Sequence, residues 1–166
     1  SIRSIKPTKL RSGLPFHYRL FAIGVLKMKP KTILYADDDI WFVESVIEEL
    51  SENGYVVLKA TTGTEVLNIL TNNSVDLLIL DVMMPPGSDV PDTQMGRKTG
   101  IEVARIIRTK MKLNLPIIFS TVITDIATHS VIESIEKTAG HEAKILVKPV
   151  RLSELVDEVV NSIGTP

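Results

Sequence analysis

No cysteine occurs among the 166 residues, so neither a disulfide nor a thiolate metal site can form. That absence suits a reducing compartment, and a cytoplasmic location is the expectation. No apolar run approaches the roughly 18 residues needed to span a bilayer. Leu20 to Leu26 is apolar but short, and nothing after it looks like a cleavage site. The three histidines, His17, His129 and His141, share no ligand spacing, and none reads as a metal ligand. Residues 1–31 contain no acid but eight basic groups, so residues 32–166 hold the other 11 of 19 bases and all 20 acids, about −9. Residues 1–30 therefore read as a basic N-terminal extension ahead of an acidic body at 31–166. The extension could touch nucleic acid or an anionic membrane. The blander expectation is an expression leader or upstream extension, with Met28 as the natural start.

What is present is a regular alternation. Thr32–Ala36, Tyr55–Ala60, Val75–Leu80, Leu115–Ser120 and Ala143–Val147 are short apolar runs that read as strands. Near-continuous apolarity fits a parallel sheet covered on both faces. Between and after them lie segments with helical spacing: Ile40–Asn53, Thr64–Thr71, Gly100–Thr109, Asp125–Thr138 and Ser153–Ile163. Ser153 reads as an N-cap, with Leu155, Val156, Val159, Val160 and Ile163 facing inward. Five strands alternating with five helices, joined by right-handed crossovers, predict a doubly wound parallel sheet with order 2-1-3-4-5. In such folds ligands bind beyond the carboxyl ends of the strands.

Those ends are polar. The first strand runs into Asp37-Asp38-Asp39, the third into Asp81, the fourth into Ser120-Thr121 and the fifth into Lys148-Pro149. Each has a plain reading: a solvated acidic loop, a helix cap at Asp39, a strand-finishing threonine, a common Lys-Pro loop. Together they bring acids, a hydroxyl and a lysine to one crevice. Adjacent carboxylates repel unless a cation joins them, and magnesium, which takes oxygen ligands and keeps several waters, is the natural one. Manganese could substitute.

The segments YADDD, ILDVMMP, FST and LVKP resemble the response-regulator receiver family over residues 31–163. The resemblance implies a flavodoxin-like fold and a phosphoacceptor signalling module of a two-component or phosphorelay system. Asp81 would take the phosphoryl group from a histidine kinase or phosphotransfer protein. Asp37, Asp38, Asp81 and the backbone carbonyl of Met83 would hold the metal. Thr121 and Lys148 would bind the phosphoryl group, and the bond before Pro149 would be cis. The module would assist its own phosphotransfer and would not be a conventional enzyme. With Pro166 close after the last helix, no DNA-binding domain is expected in this chain. Output would then pass through contacts of the fourth helix, fifth strand and fifth helix with an unknown downstream protein, or through a homodimer.

Three departures stand out. Ile145 occupies the strand-five position where the family often carries an aromatic switch residue, and Val122 is bulkier than the usual small residue. A weakened threonine–aromatic coupling is expected, and a receiver-like interaction module with an atypical switch is the alternative reading. Met83 and Ile123 are apolar where the family tunes water access, which predicts slow dephosphorylation. Residues 85–99, rich in Pro, Gly and polar residues, read as a flexible insertion beside the site. Trp41 is expected to pack at its rim. An Asp-nucleophile phosphohydrolase is disfavoured, because the place two residues after Asp81, where a second acid would stand, is Met83.

Overall fold

The five apolar runs form one parallel sheet in the order β2-β1-β3-β4-β5. The computed structural model describes residues 29–92 and 98–166, except the side chains of Ile40 and Phe42, so nearly all of the basic extension lies outside the described residues. The strands are β1 (Thr32–Ala36), β2 (Val56–Ala60), β3 (Leu77–Asp81), β4 (Ile117–Thr121) and β5 (Lys144–Val147). The helices are α1 (Ile40–Glu52), α2 (Gly63–Asn72), α3 (Thr99–Ile106), α4 (Ile126–Thr138) and α5 (Leu152–Ile163). After β1 the chain first winds outward to β2, then returns to β3 on the other side. The switch point therefore lies between β1 and β3.

Side-chain alternation divides the core in two. Ile33, Tyr35, Leu77, Ile79 and Ile118 point to one face, where Val43, Val46 and Leu50 of α1 and Leu155 and Val159 of α5 cover them. Leu34, Leu78, Leu80, Ile117 and Phe119 point to the other, under α2, α3 and α4. Each such aliphatic side chain contributes about 1.5–3 kcal/mol by leaving water, so both faces must be covered and the order of elements is fixed.

The structure corrects four local expectations. Ser153 is not the cap of α5: that position is Arg151, which makes no side-chain cap bond, and Ser153 sits inside the first turn. Val160 is exposed, whereas Leu155 and Val159 are buried. The third helix does not run on as an ordinary helix. It passes into a π-helical turn, Ile107–Met111, stopped by Lys112 in a left-handed conformation (φ 54°). The segment 85–99 is not a free insertion over its described first part. Pro85 and Pro86 accept from the N–H groups of Gly63 and Thr64 at 2.9 and 3.0 Å, satisfying donors at the start of α2. The Asp89 N–H donates to the Thr64 hydroxyl at 2.9 Å, and Val90 is buried in the core. Gly87 has φ +77°, and a Cβ there would stand 2.4 Å from Thr64 Oγ1. Residues 93–97 lie outside the described part.

Candidate functional site

The alternation that builds one core face continues past the strand ends and changes chemistry. Ile33 and Tyr35 are followed on the same side of β1 by Asp37, and Leu77 and Ile79 on β3 by Asp81. Register sets Tyr35 beside Ile79, so the next step along each strand sets Asp37 beside Asp81. Both acids are buried, whereas Asp38 is exposed. Carboxylate oxygens of Asp37, Asp38 and Asp81 all lie within 4.8 Å of one another.

Lys148 reaches this cluster from the end of β5. Its ammonium donates to Asp37 Oδ2 and to Asp81 Oδ2, each at 2.8 Å. The other oxygen of Asp81 accepts from the Met83 N–H at 2.9 Å, and Asp37 Oδ1 accepts from the Asp39 N–H at 3.0 Å. Backbone bonds anchor the parts: the Asp37 N–H donates to Ala60, and the Lys148 N–H donates to the Thr121 carbonyl at 2.8 Å. The Lys148–Pro149 bond is cis.

Burial raises the pKa of Asp81 above the usual carboxylate value; the hydrogen bond from Lys148, the Met83 N–H and the Lys148 charge pull it back in part, and the Asp37 charge adds to the rise. For Lys148, burial works to lower the pKa, but the hydrogen bonds to Asp37 and Asp81 and their charges outweigh it and leave it raised. The lysine is thus held charged between acids. Three carboxylates face one ammonium, which leaves a local negative excess. The donors are hard oxygens, with no thiolate possible, and that donor set suits magnesium or manganese.

Glycine is required beside Asp81. Gly100, in the first turn of α3, donates its N–H to the Val82 carbonyl at 3.1 Å. A Cβ on it would stand 2.2 Å from the Asp81 carbonyl oxygen, so α3 presses its backbone on the strand end and fixes it.

Not every expected residue joins the cluster. Thr121 is fully buried, and its hydroxyl accepts from the Ile123 N–H at 3.0 Å, turning the loop after β4. By alternation it shares its face with Phe119, whose register partner is Ile145. Ile145 is half-buried and packs on that second core. Trp41 does not pack at the rim: it is 84% exposed, a correction to the expectation. One residue escaped sequence reading altogether. Tyr35 is buried beneath the acids, and strand parity was the signal that could have found it, since residues 35 and 37 share a face.

A profile of the response regulator receiver domain matches residues 33–160. The response regulator MprA of Mycobacterium sp. (strain KMS) is 37% identical over 127 residues, covering 76% of this chain and 48% of that protein. The chain thus spans about half the length of the curated relatives it matches. Among solved structures, the chemotaxis protein CheY4 of Vibrio cholerae is 25% identical with a TM-score of 0.63, covering 81% of this chain and 99% of that one. A CheY-like receiver domain protein from Methanospirillum hungatei JF-1 shares the fold, with a TM-score of 0.65 at 24% identity over 81% and 94% of the two chains.

Proposed function

The chain belongs to the response regulator receiver family, and from that premise we propose that it accepts a phosphoryl group on Asp81. The observation that carries the reading is the lysine bridge: one ammonium 2.8 Å from carboxylate oxygens of both Asp37 and Asp81, at the switch point of a doubly wound sheet. A carboxylate held this way is oriented by Lys148 and by the Met83 N–H. It can attack phosphorus in line and form a mixed anhydride, with the leaving group departing opposite.

Asp37, Asp38 and Asp81 would hold a magnesium ion, with the Met83 carbonyl as a further oxygen ligand. When bound, that ion supplies positive charge for the phosphoryl oxygens. The chain's own contribution is position and charge: Lys148 moves from pairing carboxylates to pairing the phosphoryl oxygens, and Thr121 offers its hydroxyl from the next strand. A phosphohistidine on a kinase or phosphotransfer protein fits as donor. The module then assists its own modification rather than turning over a separate substrate, and it works in the cytoplasm. No helix among the described residues is long and apolar enough to cross a membrane. The interaction-module alternative draws on Ile145 and Val122 alone, and the intact acid–lysine set weighs against it.

Incubation with acetyl phosphate and magnesium should add one phosphoryl mass to the chain. Asp81→Asn should abolish the gain and EDTA should prevent it. A folded wild-type chain that gains no mass under these conditions would sink the reading.

A further inference from the structure

Tyr35 is the largest fully buried side chain in the core and carries a hydroxyl that no described group satisfies. A phenol in an apolar row is costly without a partner, and its neighbours on that row are aliphatic: Ile33, Ile79, Val43 and Val46. The exception is the acidic end. Asp37 follows Tyr35 on the same side of the same strand, and Asp81 is Asp37's neighbour. Burial first, then the charges of Asp37 and Asp81, hold the pKa of the phenol above its ordinary value. At the same time both Asp37 oxygens are engaged elsewhere, Oδ2 by Lys148 and Oδ1 by the Asp39 N–H.

We infer that Tyr35 is a positioning residue for the cation site, its hydroxyl donating to the Asp37 carboxylate from below once Asp37 gives up Lys148. The inference rests on the reading that Asp37, Asp38 and Asp81 hold magnesium. In the lysine-bridged arrangement the hydroxyl waits unpaired. In the loaded arrangement it replaces the donor that Asp37 loses, and so keeps that carboxylate turned toward the cation. Second-sphere donors of this kind fix ligand orientation, and their removal typically weakens metal affinity by about tenfold or more.

The test is a calorimetric titration of the whole chain with magnesium chloride, beside Tyr35→Phe, Asp37→Asn and the double variant. Tyr35→Phe removes one oxygen and keeps the ring, so the metal-free thermal midpoint should hold or rise. Its magnesium dissociation constant should increase by about tenfold. In the Asp37→Asn background the same change should have little further effect, because the carboxylate it acts on is gone. A merely structural tyrosine would lower the midpoint and leave the affinity alone, and that result overturns the inference. Equal affinities for the parent and Tyr35→Phe overturn it too, while binding by the parent preserves the cation site. A parent chain that binds no magnesium brings down both.

Discussion

Two buried charge clusters among the described residues are built on opposite principles. At one end of the α3–α4 interface Arg108 meets Glu136 through two parallel bonds, Nε to Oε1 at 3.1 Å and Nη2 to Oε2 at 2.6 Å. The remaining guanidinium nitrogen donates to the carbonyls of Leu113 and Leu115 at 2.9 and 2.8 Å. One cation meets one anion, every guanidinium nitrogen donates, and the side chains are only 2% and 1% exposed. At the carboxyl end of the sheet, Lys148 is 17% exposed and must serve two acids at once, with Asp38 a third nearby. The first cluster is matched and sealed. The second is unmatched and open, and the proposed admission of a cation and a phosphoryl group would need both faults. Excess negative charge there is a binding capacity, and partial exposure is an access route.

The sealed pair should be the more fragile to single substitution. Arg108→Met leaves the Glu136 carboxylate buried without its partner and frees the Leu113 and Leu115 carbonyls. A loss of about 3–5 kcal/mol is expected from urea denaturation, enough to unfold many domains of this size. Replacing both members, Arg108→Met with Glu136→Leu, should recover much of that loss, since no isolated charge remains. Phosphorylation of whatever fraction stays folded should be unaffected. If Arg108→Met costs under 1 kcal/mol, the pair is not what ties the π-helical turn to α4, and the contrast drawn above fails.

Lys148→Met should reverse the balance of effects. Two neighbouring buried acids lose their shared cation, yet the partly exposed place of Lys148 and the exposed Asp38 beside them give water and solution cations a way in. A smaller cost follows, about 1–2 kcal/mol, and magnesium should restore part of it by taking the place of the ammonium. Phosphotransfer, by contrast, should fall steeply. Should Lys148→Met lose as much stability as Arg108→Met and regain none with magnesium, the crevice is a structural cluster like the other.

How far the sequence discloses this contrast depends on what each cluster rests on. The open one was legible because its members fall at strand ends, where a parallel sheet converges regardless of loop details; Asp37, Asp38, Asp81 and Lys148 needed only strand count and order. The sheet order was legible for the same reason. The sealed pair was invisible. Arg108 and Glu136 are 28 positions apart on two helices, and each looks like an ordinary helix-surface charge. Arg108 lies within the π-helical turn at Ile107–Met111, a break in helical period that sequence spacing does not reveal. Capping failed at Ser153 because a good cap residue stands two positions after the actual cap, Arg151. Asp125, read as the first residue of its helix, is instead the cap, its carboxylate accepting from the Thr128 N–H at 2.8 Å. The loop at 85–92 misled because Pro and Gly, read as flexibility, here supply carbonyls and a left-handed turn that grip the start of α2.

The finest distinction between the clusters lies in what proton uptake does to the open one. Burial lifts the Asp81 pKa above its unfolded value, against the pull of Lys148. An acid raised in the folded state holds its proton more tightly there than in the unfolded chain. Its effect on stability is therefore neutral well below the ordinary carboxylate range. It turns unfavourable as pH climbs through that range to the raised value, and stays unfavourable at neutral pH. Asp81→Asn, measured in EDTA, should accordingly be the more stable protein at pH 7. The gain should stay under about 1 kcal/mol, because the amide oxygen keeps a hydrogen bond from Lys148. It should shrink as pH falls from the raised value through the ordinary carboxylate range, and be gone well below about 4, where the acid is protonated in both states. Magnesium should invert the order, stabilising the parent through binding while the amide offers a poorer ligand. An Asn variant less stable than its parent at pH 7 without divalent cations would mean that the lysine bridge more than offsets the burial of Asp81, and the crevice would then be balanced in the same way as the Arg108–Glu136 pair.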